Sequence, residues 1–197
     1  MNDAPPDRHR LHLGIAEAGK LLALKGRHKE ALQRYREALK LAHSAGAPQL
    51  FGRHYLQCVL ESLEHLGDHA GLRDLAGQAA AAAETAGESP FHRRDRAALL
   101  ERVGVAELKS GDSAAALRTF AQVVELAGPE GQPLSAQLLE WMKRGFDVGT
   151  TRLAEAQRSH AYWTVRQETV DPVRAIDMPV PSSVSNPVPN KEIFHGG

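Results

Sequence analysis

Cysteine is almost missing from this 197-residue chain, which carries Cys58 alone. One thiol cannot build an intramolecular disulfide framework, so the composition fits a reducing compartment. Charge of one sign is missing as well, since 24 Lys and Arg are matched by 24 Asp and Glu. That balance argues against a broad nucleic-acid footprint, which needs a basic domain to neutralise phosphates. Long apolar runs are absent too: the opening MNDAPPDRHRLHLG has no signal-type apolar core, and no later stretch has the length of a spanning helix. A soluble, cytoplasmic chain without membrane insertion is expected. No alternating apolar and polar pattern of useful length marks a strand, and without strands there is no strand-led glycine loop to cradle a phosphate.

Glycine and proline, by contrast, recur at regular intervals. Gly46, Gly87 and Gly128 lie 41 residues apart, each with a proline within three residues, and Gly26, Gly67 and Gly111 mark tighter connectors 41 and then 44 residues apart. Each unit therefore reads as helix, short glycine turn, helix, longer loop. Leu11, Ile15, Ala18 and Leu22 fall on one helical face of 11–24, and Ala31, Leu32, Tyr35, Ala38, Leu39 and Ala42 repeat the spacing after the turn. Segments 54–66 and 72–86 form a second pair; 96–109 and 114–127 form a third, with Asp112 or Ser113 as N-cap. Pro133 opens a further helix expected to run to about residue 160 and to cap the array through Leu134, Leu138, Met142, Phe146, Val148 and Leu153. Gly145 and Gly149 are expected to be buried there as close-packing positions. The predicted organisation is a flexible N-terminus over 1–10, a helical repeat domain over 11–160 and an extended tail over 161–197.

These residues resemble the tetratricopeptide repeat. Its first helix carries a large residue, then Leu-Gly, then an aromatic, and its second carries Ala-x3-Phe followed by Ala. The first unit offers Ile15, Ala18-Gly19, Leu22, Gly26, Ala31, Tyr35 and Ala38 in matching places; the third offers Leu100, Val103-Gly104, Gly111, Ala116, Phe120 and Val123. The second keeps the spacing with Leu56, Val59-Leu60, Leu63, Gly67, Leu72, Ala76 and Ala79 but lacks the small glycine and the aromatic, and Glu107 stands where the third unit's first-helix aromatic belongs. The period is longer than the 34 residues of the commonest form. It is similar to the longer-looped repeats of kinesin light chains and bacterial signalling proteins. The resemblance covers about residues 11–128 and implies an all-α fold: an α-solenoid of three hairpins plus a C-terminal capping helix, followed by the proline-containing tail.

The resemblance also implies a concave groove lined by the first helix of each unit. Carried over by position, the groove residues are Lys20, Gln57, Glu61, Glu64, Glu101, Arg102 and Lys109, with Ala16 and Val105 beside them. Of the positions that form a carboxylate clamp in chaperone-binding members only Arg102 fits, so mixed charge favours a segment with a cation as well as apolar contacts. Five of the eleven prolines fall in 161–197, at 172, 179, 181, 187 and 189. Proline holds a chain extended, and the apolar residues Trp163, Ile176, Met178, Val180, Ile193 and Phe194 are the candidate anchors by which the tail docks.

Chemistry is sparse elsewhere. His65 and His69 straddle a turn without a companion ligand, and Cys58 has no convincing base, so no catalytic residue, metal or cofactor is expected. Charge is distributed unevenly: residues 1–46 carry nine basic and five acidic side chains, residues 47–90 two and six. The expected role is a non-catalytic protein-protein interaction module acting as adaptor or assembly subunit of a multiprotein complex. A dedicated cytosolic chaperone or a regulatory peptide-sensing protein is the alternative. Partners are expected to be proteins, with self-association possible through the basic first and acidic second units.

Overall fold

The computed structural model describes residues 7–87 and 89–176, and within them the chain is all-helical. The helices are α1 (Arg8–Leu24), α2 (His28–Ser44), α3 (Gln49–His65), α4 (His69–Ala86), α5 (Pro90–Lys109), α6 (Ser113–Ala127), α7 (Pro133–Lys143) and α8 (Thr150–Ser159), with a 3₁₀ turn at Gln167–Thr169. They gather into two compact units: α1 to α3 with the segment that begins at Trp163, and α4 to α8. In the first, α1 packs on α2 and α2 on α3; in the second, α4 packs on α5, α5 on α6 and α6 on α7. The expected second hairpin is thus divided, α3 belonging to one unit and α4 to the other.

Four of the punctuation glycines stop helices by a common device. Gly26, Gly46, Gly67, Gly87, Gly111, Gly128 and Gly145 all have positive φ. At Gly26 the amide bonds Ala23 O and the following Arg27 amide bonds Leu22 O; the same pair recurs at Gly46, Gly111 and Gly145. This is the Schellman closure, in which a left-handed residue just past the helix satisfies the last carbonyls. It corrects the expectation for Gly145, which is exposed and ends α7 rather than packing inside one long helix. The helix predicted over 133–160 is accordingly two helices, and exposed Gly149 is the N-cap of α8.

Helix starts were less visible from periodicity. Asp7 accepts the His9 amide, so α1 takes in residues 8–10 that were assigned to a flexible end. Pro48 and Ser89-Pro90 start α3 and α5 several residues ahead of the apolar pattern. Asp112 caps α6 as expected, accepting the Ala115 amide at 2.9 Å.

Two glycines serve close approach instead of chain reversal. A Cβ on Gly19 would lie 2.7 Å from the Tyr35 ring, and one on Gly104 2.6 Å from the Phe120 ring. Both rings are fully buried. In the first unit the core gathers Ile15, Ala16, Ala38, Ala42 and Tyr55; in the second, Val105, Ala116, Phe120, Leu134, Leu138 and Leu153. Gly104→Ala is expected to lower stability by about 1–3 kcal/mol, despite an intrinsic helix gain of about 1 kcal/mol; an unchanged or raised urea midpoint would contradict this packing.

Candidate protein-binding groove

The groove residues predicted from sequence fall in both units. Lys20, Gln57, Glu61 and Glu64 lie on α1 and α3, and Glu101, Arg102 and Lys109 on α5. Lys20, Glu61, Glu64, Glu101 and Arg102 are buried, while Gln57 and Lys109 are half-buried.

In the first unit the track across α1 and α3 is occupied by the chain's own segment Trp163–Ile176. Glu61 receives the Thr164 amide at 2.6 Å and the Val165 amide at 3.2 and 3.3 Å, one to each carboxylate oxygen. Lys20 donates to the Thr169 carbonyl at 3.4 Å and to Glu17 at 2.8 Å, and the second Glu17 oxygen accepts the Asp171 amide at 2.9 Å. Farther along, the Ile176 amide donates to Gly14 O at 3.0 Å. The Ile176 side chain lies where a Cβ on Gly14 would stand, 2.5 Å away. The segment therefore runs from the C-terminal end of α1 toward its N-terminal end.

The start of the segment is held by rings. His65 stacks between His28, at 4.3 Å and 11°, and the Trp163 indole, at 4.4 Å and 27°. Val165 is buried behind it. The segment shapes itself through a short turn: Arg166 N donates to Thr169 Oγ1, Thr169 N donates to Arg166 O, and the Thr169 hydroxyl donates to Thr164 O at 3.0 Å. Trp163 and Ile176 are thus both seated on α1 to α3, whereas Met178, Val180, Ile193 and Phe194 lie outside the described residues.

No protein-family model, curated protein or solved structure matches the chain.

The α5 residues have different surroundings. Glu101 accepts the Ser135 amide at 3.1 Å and its hydroxyl at 2.7 Å, which fixes the start of α7. Arg102 lies 4.1 Å above the Tyr162 ring and donates to the Tyr162 carbonyl at 3.3 Å. Both side chains are engaged with their own unit.

Sequence reasoning missed Glu17, His28 and His65 as groove residues. Glu17 stands three positions from Lys20, the helical ion-pair spacing, and that was the available signal. The histidines bear no motif, since their use here is as flat surfaces. Among the described residues no cluster of His, Cys, Asp or Glu could hold a metal ion, and no helix is long and apolar enough to cross a membrane. Cys58 is buried, with His54 Nε2 3.9 Å from its sulfur.

Titratable groups beneath the groove are shifted by burial. Desolvation first, then Cys58, Glu61 and Glu17, push the Tyr35 phenol far above its ordinary range. Its buried hydroxyl has no partner. Burial also lowers His12, His28 and His54, helped by His9 at His12 and by Lys20 at His54. A histidine depressed in the folded state binds its proton more readily when unfolded, so its stabilising contribution is full above about pH 6.5 and is lost as pH falls from there toward the folded value. The melting temperature is expected to fall between pH 7.5 and 5.5, with a shallower fall in His54→Gln; a pH-independent melting temperature would contradict this lowering of the histidines. Tyr35→Phe removes an unpaired hydroxyl without breaking a bond. It is expected to leave stability unchanged or raise it by about 1 kcal/mol in urea titrations, and a loss of that size would reveal a partner.

Proposed function

We propose that this chain is a non-catalytic protein-protein interaction module of tetratricopeptide-repeat type that works as an adaptor or assembly subunit, taking an extended protein segment along α1 and α3. The observation that carries the reading is the seated segment Trp163–Ile176, whose main chain is gripped by Glu61, Lys20 and Glu17. Extended peptides are commonly recognised in this way, by main-chain hydrogen bonds for affinity and side-chain pockets for specificity. Two further features support the repeat reading: the Gly19 and Tyr35 pair and the Gly104 and Phe120 pair, which stand at corresponding positions of the sequence units.

The polar groups along α1 and α3 suit binding better than turnover. Lys20 is tied to Glu17, His54 is held toward its neutral form, and Glu61 is occupied by two amides. Cys58, which has His54 beside its sulfur, is fully buried, which supports a packed thiol over a nucleophile open to substrate.

Photocrosslinking in cells tests the proposal. Gln57 lies one helical turn from Glu61 on α3, while Arg36 is exposed on α2. A photoreactive residue at 57 is expected to yield an adduct with another polypeptide that the same residue at 36 does not yield. Adducts at neither position, or equally at both, would refute the groove. Stoichiometry then separates the roles: an adaptor or subunit stays in the finished assembly, and a chaperone leaves it.

A further inference from the structure

We propose that Trp163–Ile176 is a displaceable internal occupant, and that the partner is an extended protein segment obeying the same main-chain rules while also filling the apolar cleft beside it. This rests on the groove reading above.

The contacts define what a segment must present. An aromatic residue lies on His65, as Trp163 does. The next two residues must both have a free amide, because Glu61 takes both, and the second is apolar because Val165 is buried. Proline is therefore excluded at those two places. A carbonyl six residues after the aromatic meets Lys20, and an amide eight residues after it meets Glu17. Thirteen residues after it, a non-proline apolar residue bonds Gly14 O and covers the bare Gly14 surface. Pro172 fits these rules, since its position donates nothing to the track.

Most of these demands fall on the backbone, which many sequences can meet. The seated segment also leaves contact unused. A cleft of about 290 Å³ between α1 and α3 is lined mostly by apolar residues, Leu50, Phe51 and Tyr55 among them, together with Glu17, Lys20 and His54, and no described residue of the segment lines it. Leu50 is 65% exposed. A partner that places an apolar side chain there makes a contact the internal segment does not, which is a basis for exchange. Covalent attachment favours the internal occupant: at an effective concentration of about 1 mM, a segment with an intrinsic dissociation constant of about 10 μM weakens any free competitor by roughly 100-fold.

The test is a fluorescence-anisotropy titration of a labelled peptide of sequence 162–176 against the full chain and against full-length Thr164→Pro. Tryptic cutting at Arg166 and Arg174 reports whether the internal segment has left. The variant is expected to be cut faster and to bind the peptide at least tenfold more tightly than the unaltered chain, and a peptide carrying Val165→Pro is expected to bind neither. Equal binding to both chains, with the segment released in the variant, would overturn displacement while leaving the groove reading intact. No binding to the released variant would overturn the groove reading as well. If the double variant Thr164→Pro/Val165→Pro still resists trypsin like the unaltered chain, Glu61 does not hold the segment and the proposal fails.

Discussion

A carboxylate placed where water cannot reach it must find donors, and Glu61 is such a group, only 3% exposed on α3. Stripped of water and left unpaired, a charge of this kind costs several kcal/mol. Two consecutive amides of the segment at 164 and 165 meet that need, and charge-assisted bonds of this type are about twice as strong as neutral ones. The dependence is mutual. Main-chain amides turned away from water need acceptors as much as the carboxylate needs donors, so helix and segment are held in one register.

The rest of the first unit brings that carboxylate to its place. Gly19 lets the Tyr35 ring close against α1, and α2 in turn packs on α3. Gly14 offers a patch of α1 without a side chain, on which Ile176 rests. His12, fully buried, bonds the Tyr55 hydroxyl at 2.8 Å and ties α1 directly to α3. Lys20 and Glu17 neutralise each other and spend their remaining capacity on the segment's carbonyl at 169 and amide at 171. Charge in the groove is thus used locally, which accords with a chain whose formal net charge is zero.

Much of this was legible in the residues. Helix positions followed from glycine spacing because a left-handed residue past a helix end leaves a fixed mark, as at Gly26 and Gly111. Lys20 and Glu61, expected to line a groove from the family resemblance, both meet the segment, and Trp163 and Ile176 stand out in the sequence as apolar residues of a proline-punctuated apolar tail. Other features leave no such mark. The break after Arg144 was hidden by an apolar stripe that ran across it, although Gly145 has the same closure as the earlier turns. That the track would be filled by the chain's own segment could not be read, because Glu61, Lys20 and Glu17 bind main-chain atoms that every residue carries. The stacking of His28, His65 and Trp163 depends on tertiary approach between residues far apart in the chain, on three different segments.

Amide hydrogen exchange of the full chain addresses the central claim directly. The amides of Thr164, Val165, Asp171 and Ile176 each donate to a group on α1 or α3. All four are expected to exchange at least tenfold more slowly than in the free peptide, with protection at 164 and 165 lost in Glu61→Ala. Exchange of all four at the free-peptide rate in the unaltered chain would contradict the account.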